Sequence, residues 1–333
     1  MMIYKALSFT AAAALAFSTG SLFAQDHSND HAPGHGPDHA AHAAVATIKI
    51  EVLPDANHAA GKTAQTIVRL TGPGGKPVTL DDLEVAHTEK LHLLVVNEAL
   101  TDYHHEHPVG SDKPGEYRFE FTPKHGGTYH VWADLLPLAT KVQEYTHTFV
   151  QVKGTPAQPQ NTTNTTAEVD GYRFDWTVEG NQPLRGGESV EVKVRVTGAD
   201  GQPFQKLEPV MGAFAHMVAF PENLKSVTHV HPTGREPEKE DERGGPELTF
   251  HVVPEQAGYQ KFYLQVQIGG QDKFAAFGVN VEPLAAGGAD LAKVKHICPM
   301  CAGVENIGPG KCPKCGMALV PETKAEDAKA HEH

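Results

Sequence analysis

LHLLVVNEALTDYHHEHP, residues 91–108, and AHMVAFPENLKSVTHVHP, residues 215–232, align without a gap at an offset of 124. His92 pairs with His216, Leu100 with Leu224, His105 with His229, His107 with His231 and Pro108 with Pro232. Flanking segments pair at slightly different offsets, LTGPGGKP with VTGADGQP and YRFEFTPKHGGTYHVW with LTFHVVPEQAGYQKFY. One structural unit is therefore used twice in succession, over residues 45–152 and 171–283. Within each copy, short runs such as ATIKIEVL, AQTIVRL, EYRFEF and HTFVQV are rich in β-branched and aromatic residues and are separated by Gly and Pro turns. That texture predicts an all-β fold of two tandem antiparallel β-sandwiches, of immunoglobulin or cupredoxin-like type.

Comparing the copies also sorts the histidines. His104, His125, His130 and His147 fall opposite Thr228, Gln256, Lys261 and about Ala276, so they read as surface or incidental residues. Residues two apart in an extended strand point to the same side, about 6.6 Å apart, so His105 and His107 can reach one ion. His92 lies on the face of an apolar strand that also carries Leu94 and Val96. A lone histidine there is ordinarily a hydrogen-bonded core residue, but all three recur at one internal spacing. The expectation is a three-histidine site for Cu or Zn in each domain, His92, His105 and His107 in the first and His216, His229 and His231 in the second. A structural network of the same residues is the alternative. Five positions before each leading histidine stand His87 and Met211, candidate additional ligands. Thioether sulfur would tilt the second site to Cu(I) and imidazole the first to Cu(II) or Zn(II), although a methionine in an apolar setting is otherwise core packing. The pattern of an apolar strand with an early His, followed by H-x-H-P, resembles the β-sandwich domains of exported bacterial copper- or heavy-metal-binding proteins. The resemblance covers both copies and implies that they bind metal.

The C-terminal stretch HICPMCAGVENIGPGKCPKCGMALVPE holds all four cysteines, Cys298, Cys301, Cys312 and Cys315, in two Cys-Pro-x-Cys knuckles. Two facing knuckles give a tetrahedral all-sulfur site suited to Zn, with Cu(I), Ag(I) or Cd(II) as soft alternatives. So short a segment cannot bury a sufficient core, and a metal or a crosslink must hold it. Two disulfides are the alternative in an oxidising compartment. Cys298, Pro299 and Met300, with PGKCPKCGMALVP from Pro309 to Pro321, closely resemble the small heavy-metal-binding domain of periplasmic adaptor subunits of copper and silver efflux pumps and of some metal-transporting ATPases. Where that family usually has His-Pro after its first CPM, this chain has Cys301 and Ala302. The change completes a set of four thiols and makes a zinc-ribbon-like module over 296–321 the expectation. The resemblance implies Zn or Cu on the module, a metal efflux or transport system as partner, and Met300 and Met317 as additional soft ligands if copper is the cargo.

The 41 acidic residues outnumber 28 basic ones for a net charge of −13, which argues against nucleic acid and anionic membrane surfaces as partners. Twenty-one histidines enrich the chain in imidazole, the commonest protein ligand for Zn and Cu. Residues 1–24 have the apolar run and small final residue of a secretory signal peptide, leaving Gln25 first. Leu22 is bulkier than usual before such a cut and keeps an uncleaved anchor open. No later stretch is long and apolar enough to span a membrane, so the mature chain is expected to be periplasmic or secreted. Residues 25–44 place His27, His31, His35, His39 and His42 among Pro and Gly, which forbid a continuous helix. They read as a disordered metal-scavenging tail or a solvated linker. Linkers are expected at 153–170 and 284–295, and a disordered tail at 322–333.

These features together point to an exported, non-catalytic protein that buffers or delivers copper-like ions. A copper oxidoreductase of superoxide-dismutase-like type is one alternative, but the bridging histidine and longer ligand set of such an enzyme are not found. A docking module for a metal efflux system, with structural zinc only, is the other.

Overall fold

The computed structural model describes residues 46–53, 57–86, 88–230, 232–284, 293–298, 301–308, 310–314 and 319–322. The expected signal peptide, the His-rich segment, the tail from residue 323, and the candidate ligands His87, His231, Met300, Cys315 and Met317 lie outside the described residues.

The first copy consists of β1 (Lys49–Val52), β2 (Ala64–Thr71), β3 (Leu83–Glu84), β4 (Leu91–Asn97), β5 (Tyr103–Glu106), β6 (Val109–Gly110), β7 (Glu116–Phe121), β8 (Gly127–Pro137) and β9 (Glu144–Val152). One sheet runs β1-β2-β7-β6, and the other runs β3-β8-β4-β5 with β9 also paired to β8. The second copy consists of β10 (Thr166–Val169), β11 (Tyr172–Val178), β12 (Val190–Thr197), β13 (His216–Pro221), β14 (Thr228–Val230), β15 (Pro232–Thr233), β16 (Glu247–Val252), β17 (Gly258–Ile268) and β18 (Gln271–Val281). Its sheets run β10-β11-β12-β16-β15 and β14-β13-β17-β18, and the ladders are antiparallel. Strand for strand, β13, β14, β17 and β18 repeat β4, β5, β8 and β9, so the repeat in the sequence is a repeat in topology. A fifth, small sheet of β19 (Lys295–Ile297), β20 (Glu305–Ile307) and β21 (Val320–Pro321) lies beside Cys298, Cys301 and Cys312.

The composition of β4 decides how the two sandwiches meet. An antiparallel strand with one wet face alternates apolar and polar residues, whereas LHLLVVN barely alternates and every one of its residues is buried. Leu93 and Val95 point into the first sandwich, where Val68, Phe119 and Tyr129 complete the core. Leu94 and Val96 point the other way. In β13, Met217 and Ala219 enter the second core with Phe262 and Phe277, while Val218 and Phe220 point out. The outward residues of both strands join Leu100, Tyr103, Trp132, Leu224, Tyr259 and Tyr263 in a third apolar cluster between the copies. Tyr103 stacks on Tyr263 at 4.6 Å, and the Tyr263 hydroxyl donates to the Leu100 carbonyl at 2.7 Å. The two domains therefore share an interface made by the β4/β5/β8 and β13/β14/β17 faces.

Leu100 and Leu224 show what that interface costs locally. Both occupy the left-handed region, at φ 54° and 50°, a conformation that L-residues with a Cβ adopt at a penalty of about 1–2 kcal/mol. Each closes the turn that follows its strand, with Leu100 N–H bonded to the Asn97 carbonyl and Leu224 N–H to the Pro221 carbonyl, both at 2.9 Å. The return is burial of both side chains in the interdomain cluster. Shortening Leu224 to Ala keeps the strained backbone and removes the packing, so unfolding should become easier by about 2–4 kcal/mol, measured by urea titration.

Buried Asp102 ties the β4–β5 turn to β8. It accepts from the Tyr129 hydroxyl at 2.7 Å and from Lys124 N–H at 2.8 Å, and faces His104 Nε2 at 3.2 Å. Burial alone would raise its pKa, but the bonds and charge of His104, with Lys124 and Tyr129, hold it at about 2. A carboxylate depressed in the folded state stabilises the fold above its unfolded value near 4, and that contribution fades as pH falls towards 2. Asp102→Asn should thus cost roughly 2 kcal/mol at pH 7, with the gap to wild type closing between about pH 4 and pH 2 in the same titration.

Candidate metal centres

His92, the second residue of β4, lies on the face it shares with Leu94 and Val96, and that face is the domain interface. His105 is on β5, whose register sets it opposite Leu94, and His107 follows at the strand end. The three side chains converge. His92 Nδ1 lies 3.2 Å from His105 Nε2 and 3.1 Å from His107 Nε2, and one ligand atom from each of the three falls within 4.8 Å of the others. His104, on the same strand, points away to Asp102.

Hydrogen bonds behind the rings of His92 and His105 fix which of their nitrogens carry lone pairs. His92 Nε2 is 2.9 Å from the Ala86 carbonyl, which can only accept, so Nε2 holds a proton and Nδ1 is the nitrogen turned to the cluster. His105 Nδ1 is 2.8 Å from Gln265 Oε1. The Gln265 amide is itself oriented, because its Nε2 donates to Asp272 Oδ2 at 3.0 Å. His105 Nδ1 is therefore the donor and its Nε2 turns to the cluster. Burial, with the neighbouring imidazoles of His92 and His107, holds His105 well below the ordinary imidazole range, which favours the neutral, ligating form. Lone pairs brought face to face repel unless a cation lies between them. Metal–nitrogen bonds of about 2.0–2.1 Å in tetrahedral geometry set donor nitrogens about 3.3 Å apart, close to the separations seen here. The donor set thus fits a bound ion.

The two described histidines of the second copy repeat the His92–His105 arrangement. His216 Nε2 is 3.1 Å from the Val210 carbonyl and 3.2 Å from that of Met211, which leaves Nδ1 facing His229 Nε2 at 3.3 Å. His229 Nδ1 is 3.1 Å from Asp134 Oδ2, again fixing the proton on the outer nitrogen. Met211, considered above as a thioether ligand, takes part here through its main-chain carbonyl.

Asp134 and Gln265 were not singled out in the sequence. They occupy one position of the repeat, each opposite the leading histidine of its own domain, His92↔Asp134 and His216↔Gln265. Each supports a histidine of the other domain. Their signal was a polar residue in an apolar strand buried on both faces. Its partner across the interface was not readable, because aspartate and glutamine share no identity that the repeat could reveal.

The cysteines form a separate centre. Cys298, Cys301 and Cys312 bring their sulfurs within 4.8 Å of one another. Cys298 Sγ accepts from Cys301 N–H at 3.2 Å and Cys312 Sγ from Lys314 N–H at 3.4 Å. Such main-chain donors favour the thiolate, the form that binds metal. The module sits against both sandwiches. Pro313 O accepts from Gln143 N–H at 3.2 Å, and Lys311 reaches Glu255 at 2.5 Å, the Val227 carbonyl at 3.4 Å and the Tyr145 ring face at 5.2 Å. Gln143 in turn donates to Asp134.

A family model described as a domain of unknown function (DUF8832) matches residues 43–154 and again 167–283. A second, described as a heavy metal binding domain, matches residues 295–322. No curated protein matches the chain. Among solved structures, Salmonella alpha-2-macroglobulin reacted with methylamine is similar over 72% of this chain and 15% of its own, at 10% identity and a TM-score of 0.22. Yersinia pseudotuberculosis InvD is similar over 72% and 59%, at 13% identity and a TM-score of 0.23. Domains 4 and 5 of the S-layer protein SbsC are similar over 71% and 100%, at 15% identity and a TM-score of 0.20. This chain spans only about 15% of the macroglobulin, and likeness at such scores bears on neither fold nor activity.

Because a partner that orients a ligating histidine is typically worth 10–100-fold in metal affinity, Gln265→Leu should weaken Zn(II) binding at His92, His105 and His107 by about that factor. Competition against a chelating dye checks this, with far-ultraviolet circular dichroism expected to be unchanged.

Proposed function

The chain belongs to the family described as a domain of unknown function (DUF8832), and from the chemistry its two copies hold we propose that it carries metal rather than transforms a substrate. In this reading it is an exported, periplasmic or secreted, non-catalytic protein that buffers or delivers copper-like ions, using immunoglobulin or cupredoxin-like sandwiches and a zinc-ribbon-like module. The observation that carries the proposal is the two pairs His92/His105 and His216/His229, whose protons are held on their outer nitrogens, so that lone pairs face each other within each pair. A purely structural network would place an N–H between the two rings of each pair. Here the main-chain carbonyls, Gln265 and Asp134 take those protons away. The heavy-metal-binding module adds a thiolate centre of softer character, suited to Zn or to Cu(I). Its contacts with Val227, two residues before His229, and with Gln143, bonded to Asp134, put it beside the histidines. A protein that holds an imidazole centre and a thiolate centre side by side can accept copper in either oxidation state, which suits buffering or transfer to an efflux or transport system. His27 to His42 would gather ions ahead of both.

The test is metal content after anaerobic purification from copper- and zinc-supplemented cells. The wild-type chain should retain more than one equivalent, and His105→Ala/His107→Ala and His229→Ala/His231→Ala should each lose metal that the cysteine variants keep. A single zinc, lost only when the cysteines are replaced, would contradict the proposal and favour a docking module with structural zinc. Superoxide turnover by the copper form would favour an oxidoreductase instead.

A further inference from the structure

The two histidine clusters are not remote from each other. The His229 ring of the second domain lies 6.5 Å from that of His92 and 6.4 Å from that of His105, centroid to centroid, and meets both edge to face. His92, His216 and His229 are each only 1% exposed, so the rings share one enclosed region of the interface. The supports cross in both directions, from Gln265 to His105 and from Asp134 to His229. Neither cluster has its full hydrogen-bonded setting within its own domain. From this juxtaposition we propose that the twin clusters form one two-ion centre, assembled by the packing of the two domains, that holds a pair of transition-metal ions close enough to interact. This rests on the metal-carrying reading above and goes beyond two separate sites.

Geometry bounds the separation. An ion about 2.0–2.1 Å beyond a ring nitrogen sits about 3.2 Å from that ring's centre, so the two ions can be no more than about 13 Å apart. Two cations at that distance within a protein interior repel. Two carboxylates stand behind the rings to offset the charge, Asp134 on His229 and Asp272 on Gln265. The second ion is expected to bind more weakly than the first, and a monovalent pair repels with a quarter of the force of a divalent one.

The experiment is a Cu(II) titration of the full chain, with its thiolates first filled by one equivalent of zinc, followed by frozen-solution electron paramagnetic resonance. At low loading the spectrum should be that of isolated Cu(II). As the second cluster fills, dipolar broadening and a half-field transition should appear. His229→Asn should remove both effects and lower the copper bound to the clusters by one equivalent. Exposed His107 can be changed to Ala with little risk to folding, and it should do the same from the other side. Copper on His27 to His42 is common to all three proteins and is subtracted. Filling of both clusters with no broadening, or broadening that survives His107→Ala, would overturn the two-ion centre while leaving the metal-carrying reading intact. If neither variant changes the copper bound, both fail together.

Discussion

The structure turns on one constraint, that His92, His105, His216 and His229 have their outer nitrogens committed to acceptors which cannot give a proton back. The carbonyls of Ala86 and Val210, the Gln265 amide and the Asp134 carboxylate fix the tautomers. Inner nitrogens are then presented as ligands before any ion arrives. Because two of the four acceptors belong to the opposite domain, the arrangement holds only while the domains are packed. The apolar cluster of Leu94, Val96, Tyr103, Val218, Phe220 and Tyr263 is therefore as much a part of the candidate centre as the imidazoles. Strain at Leu100 and Leu224 is tolerated for the same reason, since both close the turns that deliver the H-x-H segments.

The equivalent supports differ chemically. A carboxylate behind His229 makes that imidazole a stronger donor than the neutral amide makes His105. Two sites built from one duplicated plan have thus diverged behind the rings, where affinity can be tuned without touching a ligand. The cysteine module adds a third environment. Gln143 links it to the histidines, with its main chain on Pro313 and its side chain on Asp134, so a change in how the cysteine knuckle sits can be felt at the support of His229.

Much of this was legible in the sequence, for identifiable reasons. The repeat exposed the domain plan and removed His104, which the structure pairs with Asp102. Strand alternation placed His92 with Leu94 and Val96, and the structure makes that face the domain interface. The run LHLLVVN, read from the sequence only as an apolar strand, has no wet face in the structure, and a strand of that kind needs a partner on each side, which is how the two sandwiches meet. What the sequence withheld was the crossing of supports. Asp134 and Gln265 differ in identity and act on histidines 95 and 160 residues away, so neither spacing nor repetition pointed to them.

The most direct measurement of the central claim is a crystal structure of the copper- or zinc-loaded chain with anomalous scattering recorded at the metal edge. A peak about 2.0–2.1 Å from His92 Nδ1, His105 Nε2 and His107 Nε2 together is the predicted result. Anomalous density at the cysteines alone, with the three imidazoles joined only by hydrogen bonds, would contradict it.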